Sequence, residues 1–308
     1  VFTFYDAMKQ NLEKLEQMLT TDDKKDADKI REFINTDIFA SDMDVVYIPA
    51  GRSMLTVLSS QINYLYSVMD DRIRAMIDYC TQQFMENVLL LKDYFNKSYD
   101  SILKQTMEMV DYEIDADKAK LAMDMMRVIL GGEYRAVNGE ERLYYGEDYV
   151  KINYASSGQQ EVVWVFNLLY YYLLERTPIF LIIEEPEAHL YPDAQKAITE
   201  ALGLFGHEHN QVLMTTHSPY ILGELNNLLF ANRIPASLRD RLPRPEIELL
   251  PVDTTRVGHV KDGCVEDGIK DGFIQNELID GASDEINDEM QILMELNWLA
   301  EGENEETK

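Results

Sequence analysis

Cysteine is nearly absent: the 308 residues hold two, Cys80 and Cys264, far apart and outside any metal-ligand spacing. A disulfide framework is therefore not expected, and a reducing cytoplasm is the simple reading of location. No apolar run approaches the roughly 18–20 residues of a membrane helix, and no membrane partner is expected. The start, VFTFYDAMKQ, lacks a basic leader followed by an apolar core. Basic residues are also scarce. Lys plus Arg number 28 against 56 acids, a net charge of −28. Nucleic acids are held by cations that neutralise phosphates, and no Lys/Arg cluster builds a local groove. The charge argues against this chain being the main DNA-binding part, and DNA binding is left open. The acid gathers late: Lys261 to Lys308 carries fifteen acids and three bases, a net of −12. That segment reads as a solvated, solubilising tail or as a docking surface for a basic partner. What is present is ordinary for a globular protein, at 46% hydrophobic and 27% charged residues.

Periodicity organises the chain. Phe4, Ala7, Met8, Leu12, Leu15 and Met18 follow helical spacing over residues 4–20, and a second helix is expected from about Asp26 to Asn35. Asp44 to Ile48 reads as a short buried strand closed by Pro49 and Gly51. From Ser53 to Leu130 the pattern is almost all helical, with Met107, Met109, Met123, Met125 and Met126 crowding the later part. Such a stripe is core packing or an adaptable partner surface. Asn138-Gly139 marks a hairpin turn, and with a further strand expected from Tyr149 to Tyr154 it forms a small antiparallel β element leading into the next stretch. Helices over 157–175, 192–205 and 219–229 then alternate with strands at Phe180–Ile183 and Gln211–Thr215. That alternation predicts an α/β protein with a covered parallel sheet. A strand at Glu246–Leu250 and a closing helix at Glu285–Leu299 are expected beyond it.

Three stretches carry chemistry. Ala155-Ser156-Ser157-Gly158-Gln159-Gln160-Glu161 opens a helix. Small residues there let backbone N–H groups and a hydroxyl approach an anion. Ser156 with Gln159, or Ser157 with Gln160, also fits a capping box, so alone the stretch reads as a helix cap. Phe180-Leu181-Ile182-Ile183 is followed by Glu184-Glu185-Pro186-Glu187-Ala188-His189-Leu190. Adjacent acids at the carboxyl end of so apolar a strand suit ligand work better than solvation. One can support Mg²⁺, usually through water. The other can orient or deprotonate an attacking water. Finally, Val212 to Thr215 leads into Thr216-His217-Ser218-Pro219, which sets an imidazole at a strand tip. Gln159 to Glu185 is 26 residues and Glu185 to His217 is 32, each room for one helix and one strand. Adjacent parallel strands are expected to deliver all three stretches to one rim. His207-Glu208-His209 reads as a surface loop rather than a metal pair.

These stretches resemble the ABC-ATPase superfamily, in the prokaryotic branch of stand-alone AAA-family ATPases related to SMC-type and overcoming-lysogenization-defect proteins. Ser156-Ser157-Gly158-Gln159 resembles the signature motif, with Ser157 where Gly is usual. Glu184 resembles the Walker B magnesium acid, where Asp is commoner, and Glu185 the catalytic glutamate. Glu187 to Pro192 resembles the D-loop, and His217 the switch histidine. Tyr47 to Ser53 resembles a strand-to-loop element of the branch, with Arg52 near the phosphate or between lobes. The resemblance implies ATP and Mg²⁺ sandwiched in a homodimer, one head giving the acids and His217, the other Ser156 to Gln159. It also implies an effector partner, in phage defence or DNA maintenance.

One part of the pattern is missing. The chain has no G-x-x-x-x-G-K-[ST] phosphate loop and no Gly-Lys pair. Because the chain opens on Val1 and runs directly into a helix, the expectation is that a lobe bearing this loop precedes it. The 308 residues alone are then expected to bind ATP poorly, since the main phosphate cradle is absent. The expected division is a lobe remnant at 1–52, a helical insertion at 53–132, the ATPase core at 133–233 and an acidic segment at 234–308. A non-catalytic interaction module that keeps the fold remains the alternative.

Overall fold

The computed structural model describes residues 6–20, 27–39, 43–52, 78–137, 139–206, 210–243, 249–275, 281, 283 and 285–295. Three strands form a parallel sheet in the order β1 (Asp44–Ile48), β5 (Ile179–Glu184), β6 (Gln211–Thr215). Before β5 come helices α1 (Asp6–Thr20) and α2 (Ala27–Phe33), then α3 (Tyr79–Lys92), α4 (Tyr99–Met109) and α5 (Ala116–Leu130). An antiparallel sheet of β2 (Glu133–Val137), β3 (Glu140–Tyr145) and β4 (Asp148–Lys151) leads into α6 (Ser157–Glu175). Helix α7 (Pro192–Phe205) joins β5 to β6, and α8 (Pro219–Asn232) follows. Two antiparallel pairs come last, β7 (Gly258–Lys261) with β8 (Cys264–Asp267) and β9 (Ile269–Lys270) with β10 (Phe273–Ile274). Among the described residues no helix is long and apolar enough to cross a membrane.

Local chemistry sets the helix ends. Among the described residues the expected helical run to Leu130 is broken twice, before α4 and before α5, and a polar side chain caps the start of each of the three helices. Asp78 accepts from Thr81 N, Ser98 from Ser101 N and Asp115 from Lys118 N, each capping a helix. Gly131 ends α5 in the left-handed conformation at φ 63°. Residues 53–77 lie outside the described residues. The strand expected over Tyr149–Tyr154 stops at Lys151. Residues Ile152–Tyr154 turn as a 3-10 helix closed by Ala155 N to Ile152 O, which swings the chain into the cap of α6. The second helix ends at Phe33 and continues as a π-helical turn over Ile34–Phe39. Leu249 and Leu250 are not in a strand, and 244–248 lie outside the described residues, as do 207–209. Residues 285–295 are helical and 296–299 lie outside.

Helix α6 is apolar on every side and buried from Val162 to Tyr170, as an all-round hydrophobic helix must be. It shares one core with α3, α4, α5, α7 and one face of the parallel sheet. Met123, Met125 and Met126 belong to that core, while Met107 and Met109 are exposed. On the sheet, Val46, Ile48, Leu181 and Ile183 are at most 1% exposed. Each such side chain stabilises the fold by about 1.5–3 kcal/mol. The other face is different. Along it Val45, Phe180 and Gln211 share one row, and Tyr47, Ile182 and Leu213 the next. Val45 is 61% exposed and Leu213 50%.

Candidate functional site

The site grows from the carboxyl ends of β5 and β6. Glu184, the last residue of β5, faces the open side of the sheet with Phe180 and Ile182, by strand alternation. Its Oε2 accepts from Ala50 N at 3.2 Å. Tyr47 also bonds this carboxylate. Burial first, and that bond second, raise the phenol pKa above its ordinary value. At Glu185 the backbone turns left-handed, with φ 41°, a strained state for a residue with a Cβ. Glu185 N still bonds Thr215 O at 3.0 Å, which ties the turn to β6. The two acids consequently diverge. Glu185 is 44% exposed, and its Oε1 lies 4.0 Å from Nε2 of His217, whose ring is 88% exposed.

The His turn is held from behind. Glu187 Oε1 accepts from Thr216 Oγ1 at 2.6 Å and from His217 N at 2.8 Å. Ser218 Oγ caps α8, accepting from Tyr220 N and Ile221 N, and donates to Gln195 Oε1. Gln195 Nε2 in turn donates to Leu190 O at 2.8 Å. The segment 184–190 is thus bonded to both flanking elements.

Arg52 lies inside this frame at 1% exposure. Its Nη1 donates to Pro49 O at 3.0 Å and Glu184 O at 2.9 Å. Its Nη2 donates to Glu185 O at 2.9 Å and Pro186 O at 3.4 Å. Burial lowers its pKa, and the carboxylates of Glu161, Glu187, Glu185 and Glu184 oppose that. This guanidinium serves the protein's own carbonyls.

The Ser-Gly turn follows β4 of the antiparallel sheet, the element expected to lead into it, and none of the three parallel strands brings it. Ser156 caps α6, and Gln159 completes a capping box by reaching back to Ser156 N at 3.1 Å. Gln159 Nε2 is committed to Leu130 O and Tyr145 OH. Ser156 and Ser157 are exposed, and Gly158 is buried. A Cβ on Gly158 would come within 2.4 Å of His189 O, so only glycine allows this contact. The structure therefore brings Glu184, Glu185, His217 and Arg52 together directly. The turn at Ser156–Gln159 meets them through His189.

Two residues of this frame were not singled out by role in the sequence. Glu161 is 1% exposed, with Oε1 bonded to His189 Nδ1 at 2.8 Å and Oε2 3.9 Å from Arg52 Nη2. Glu187 holds the His turn. The signal for Glu161 was available: an acid opening an otherwise apolar helix needs a buried partner.

Among the described residues no group of three or more His, Cys, Asp or Glu is arranged to hold a metal. Mg²⁺ at a phosphoryl-transfer site needs one or two carboxylates, with water and phosphate oxygens completing its shell. The hard carboxylate of Glu184 at the strand end fits that requirement.

Residues 4–222 match the family described as AAA ATPase domain. Among curated proteins no match is found. A solved structure with some likeness is the Smc head domain with an extended coiled coil bound to the C-terminal domain of ScpA, derived from Pyrococcus furiosus. The identity is 14% and the TM-score 0.29, over 70% of this chain and 48% of that one. This chain thus matches about half the length of that chain.

Proposed function

Because the chain belongs to the AAA ATPase domain family, we propose that it is the hydrolytic part of an ATP-dependent switch of the ABC type. In this reading Glu185 orients and deprotonates the attacking water, and its half-exposed carboxylate can reach one. Glu184 holds Mg²⁺ through water, and the ion when bound neutralises charge on the phosphates. His217 senses the γ-phosphate. Ser156, Ser157 and Gly158 meet the nucleotide of a second copy, so ATP closes a homodimer and hydrolysis reopens it. The observation that carries the reading is the Glu185–His217 approach of 4.0 Å at the shared end of two parallel strands.

A phosphate loop must be supplied for this chemistry, and the 308 residues contain none. The division into 1–52, 53–132, 133–233 and 234–308 is proposed as a division by role, with 133–233 carrying the site. An effector partner in the cytoplasm belongs to the same proposal. The test is Glu185→Gln in the intact protein, with hydrolysis and nucleotide binding measured separately. Hydrolysis is expected to fall about 10²–10⁴-fold with binding retained. Unchanged hydrolysis would remove Glu185 from its role. The missing phosphate loop also favours a second reading, an interaction module that keeps the fold without turnover. Undetectable hydrolysis in the intact wild-type protein selects that one.

A further inference from the structure

The turn after β5 is gripped from two sides. From one side Arg52 faces three successive carbonyl oxygens, those of Glu184, Glu185 and Pro186. Convergence of consecutive carbonyls on one cation fixes their peptide planes, and so fixes the left-handed backbone of Glu185 between them. From the other side comes the first turn of α6. Glu161 bonds the His189 ring at 2.8 Å, while Gly158 packs directly against the His189 carbonyl. A carboxylate oxygen only accepts, so His189 Nδ1 carries the proton in this bond. His189 is itself left-handed, with φ 58°. Glu161 joins the two grips, since its second oxygen faces the Arg52 guanidinium at 3.9 Å and both side chains are 1% exposed.

We infer that Arg52, Glu161 and His189 are positioning residues that make the Ser-Gly turn and the acid turn move as one body. The consequence rests on the function proposed above. A nucleotide pressed onto Ser156 and Ser157 by a second copy shifts α6, and through Glu161 and His189 that shift reaches the backbone of Glu185. The acid that acts on one nucleotide is thereby set by contact with another. None of the three residues touches the reacting atoms, and their effect passes through the peptide planes they hold.

The test is amide hydrogen exchange on this chain without nucleotide, in Glu161→Gln, His189→Ala and Arg52→Lys. The informative amides are Glu185, which bonds Thr215 O, Ala188, which bonds Glu185 O, and Leu190, which bonds Glu187 O. Each substitution is expected to speed these three roughly ten-fold, with amides of α4 within about two-fold of wild type. Glu161→Gln combined with His189→Ala is expected to do no more than the stronger single change, because both cut one path. Uniform acceleration throughout the chain, additive effects, or no change at residues 185–190 each overturn the inference. His189 is 60% exposed at its side chain, so His189→Ala remains a folded test should Arg52→Lys fail to fold. Exchange is read without nucleotide. Failure of the Glu185→Gln hydrolysis test therefore leaves the coupling standing, and failure of the coupling leaves that test intact.

Discussion

The two faces of the parallel sheet differ more than their sequences do. On the face turned to the core, Ile48, Leu181 and Ile183 are fully buried. On the opposite face, Val45 of β1 and Leu213 of β6 are at least half exposed. Both faces are largely apolar, as is usual in a parallel sheet, but among the described residues only one of them is covered. The open face also carries Tyr47 and Glu184. Stability is thus concentrated on one side, and the chemistry-bearing groups stand at the edge of the other.

The comparison breaks most sharply under charge. Ile183→Asp places a carboxylate in the sealed core, and a loss above about 5 kcal/mol is expected, enough to unfold the chain. Leu213→Asp on the open face is expected to cost no more than about 1 kcal/mol. Urea unfolding followed by circular dichroism measures both. Equal losses would mean that the open face is sealed in solution.

Next in size is Arg52, buried beside the carboxyl ends of β1 and β5. Arg52→Met leaves Glu161 as a buried charge and leaves the carbonyls of Glu184 and Glu185 without their donor. A loss of about 3–5 kcal/mol is expected, and Arg52→Met with Glu161→Leu should recover part of it, because an apolar pair replaces a broken ion pair. Chemical unfolding of the two variants checks this. If the double variant is no better than the single, the ion pair is not what Arg52 contributes to stability.

Much of this was legible in the sequence. Strands β1, β5 and β6 and helix α6 fall where periodicity puts them, because burial on one face and caps at the ends leave a chain little choice. The approach of Glu185 to His217 followed from their common position at the ends of adjacent strands. Three things were not legible. Caps at Asp78, Ser98 and Asp115 divide a run whose hydrophobic period is continuous. The route of the Ser-Gly turn depends on Gly158 packing against His189, a contact 31 residues distant that no local pattern encodes. The commitment of Arg52 to carbonyls was hidden too, since an arginine in a loop has the same letter whether it faces a phosphate or a backbone.

Glycine sharpens the contrast at smaller scale. Gly158→Ala forces a Cβ against a backbone oxygen that cannot rotate away, and about 1–3 kcal/mol is expected. Gly51→Ala is the control, as nothing lies within 4 Å of its added carbon. Thermal unfolding of both separates a close approach from a mere loss of glycine. If Gly51→Ala costs as much, the contact with His189 is not the reason.

The smallest effect concerns the two serines, exposed side by side where α6 begins. Ser156 Oγ accepts from Gln159 N, and Gln159 Oε1 returns the contact to Ser156 N. Ser157 is the first residue of the helix and takes no part in that box. Ser156→Ala should therefore cost about 1 kcal/mol of stability, while Ser157→Ala should stay within about 0.5 kcal/mol. In the function proposed here both hydroxyls face a second copy's nucleotide, so both substitutions in the intact protein should weaken ATP-dependent dimerisation, measured by analytical ultracentrifugation. Ser157→Ala isolates that role, because its fold is expected to be intact. A Ser157→Ala protein that, intact, dimerises as wild type confines the turn to capping. One that loses dimerisation at unchanged stability assigns the hydroxyl to the nucleotide.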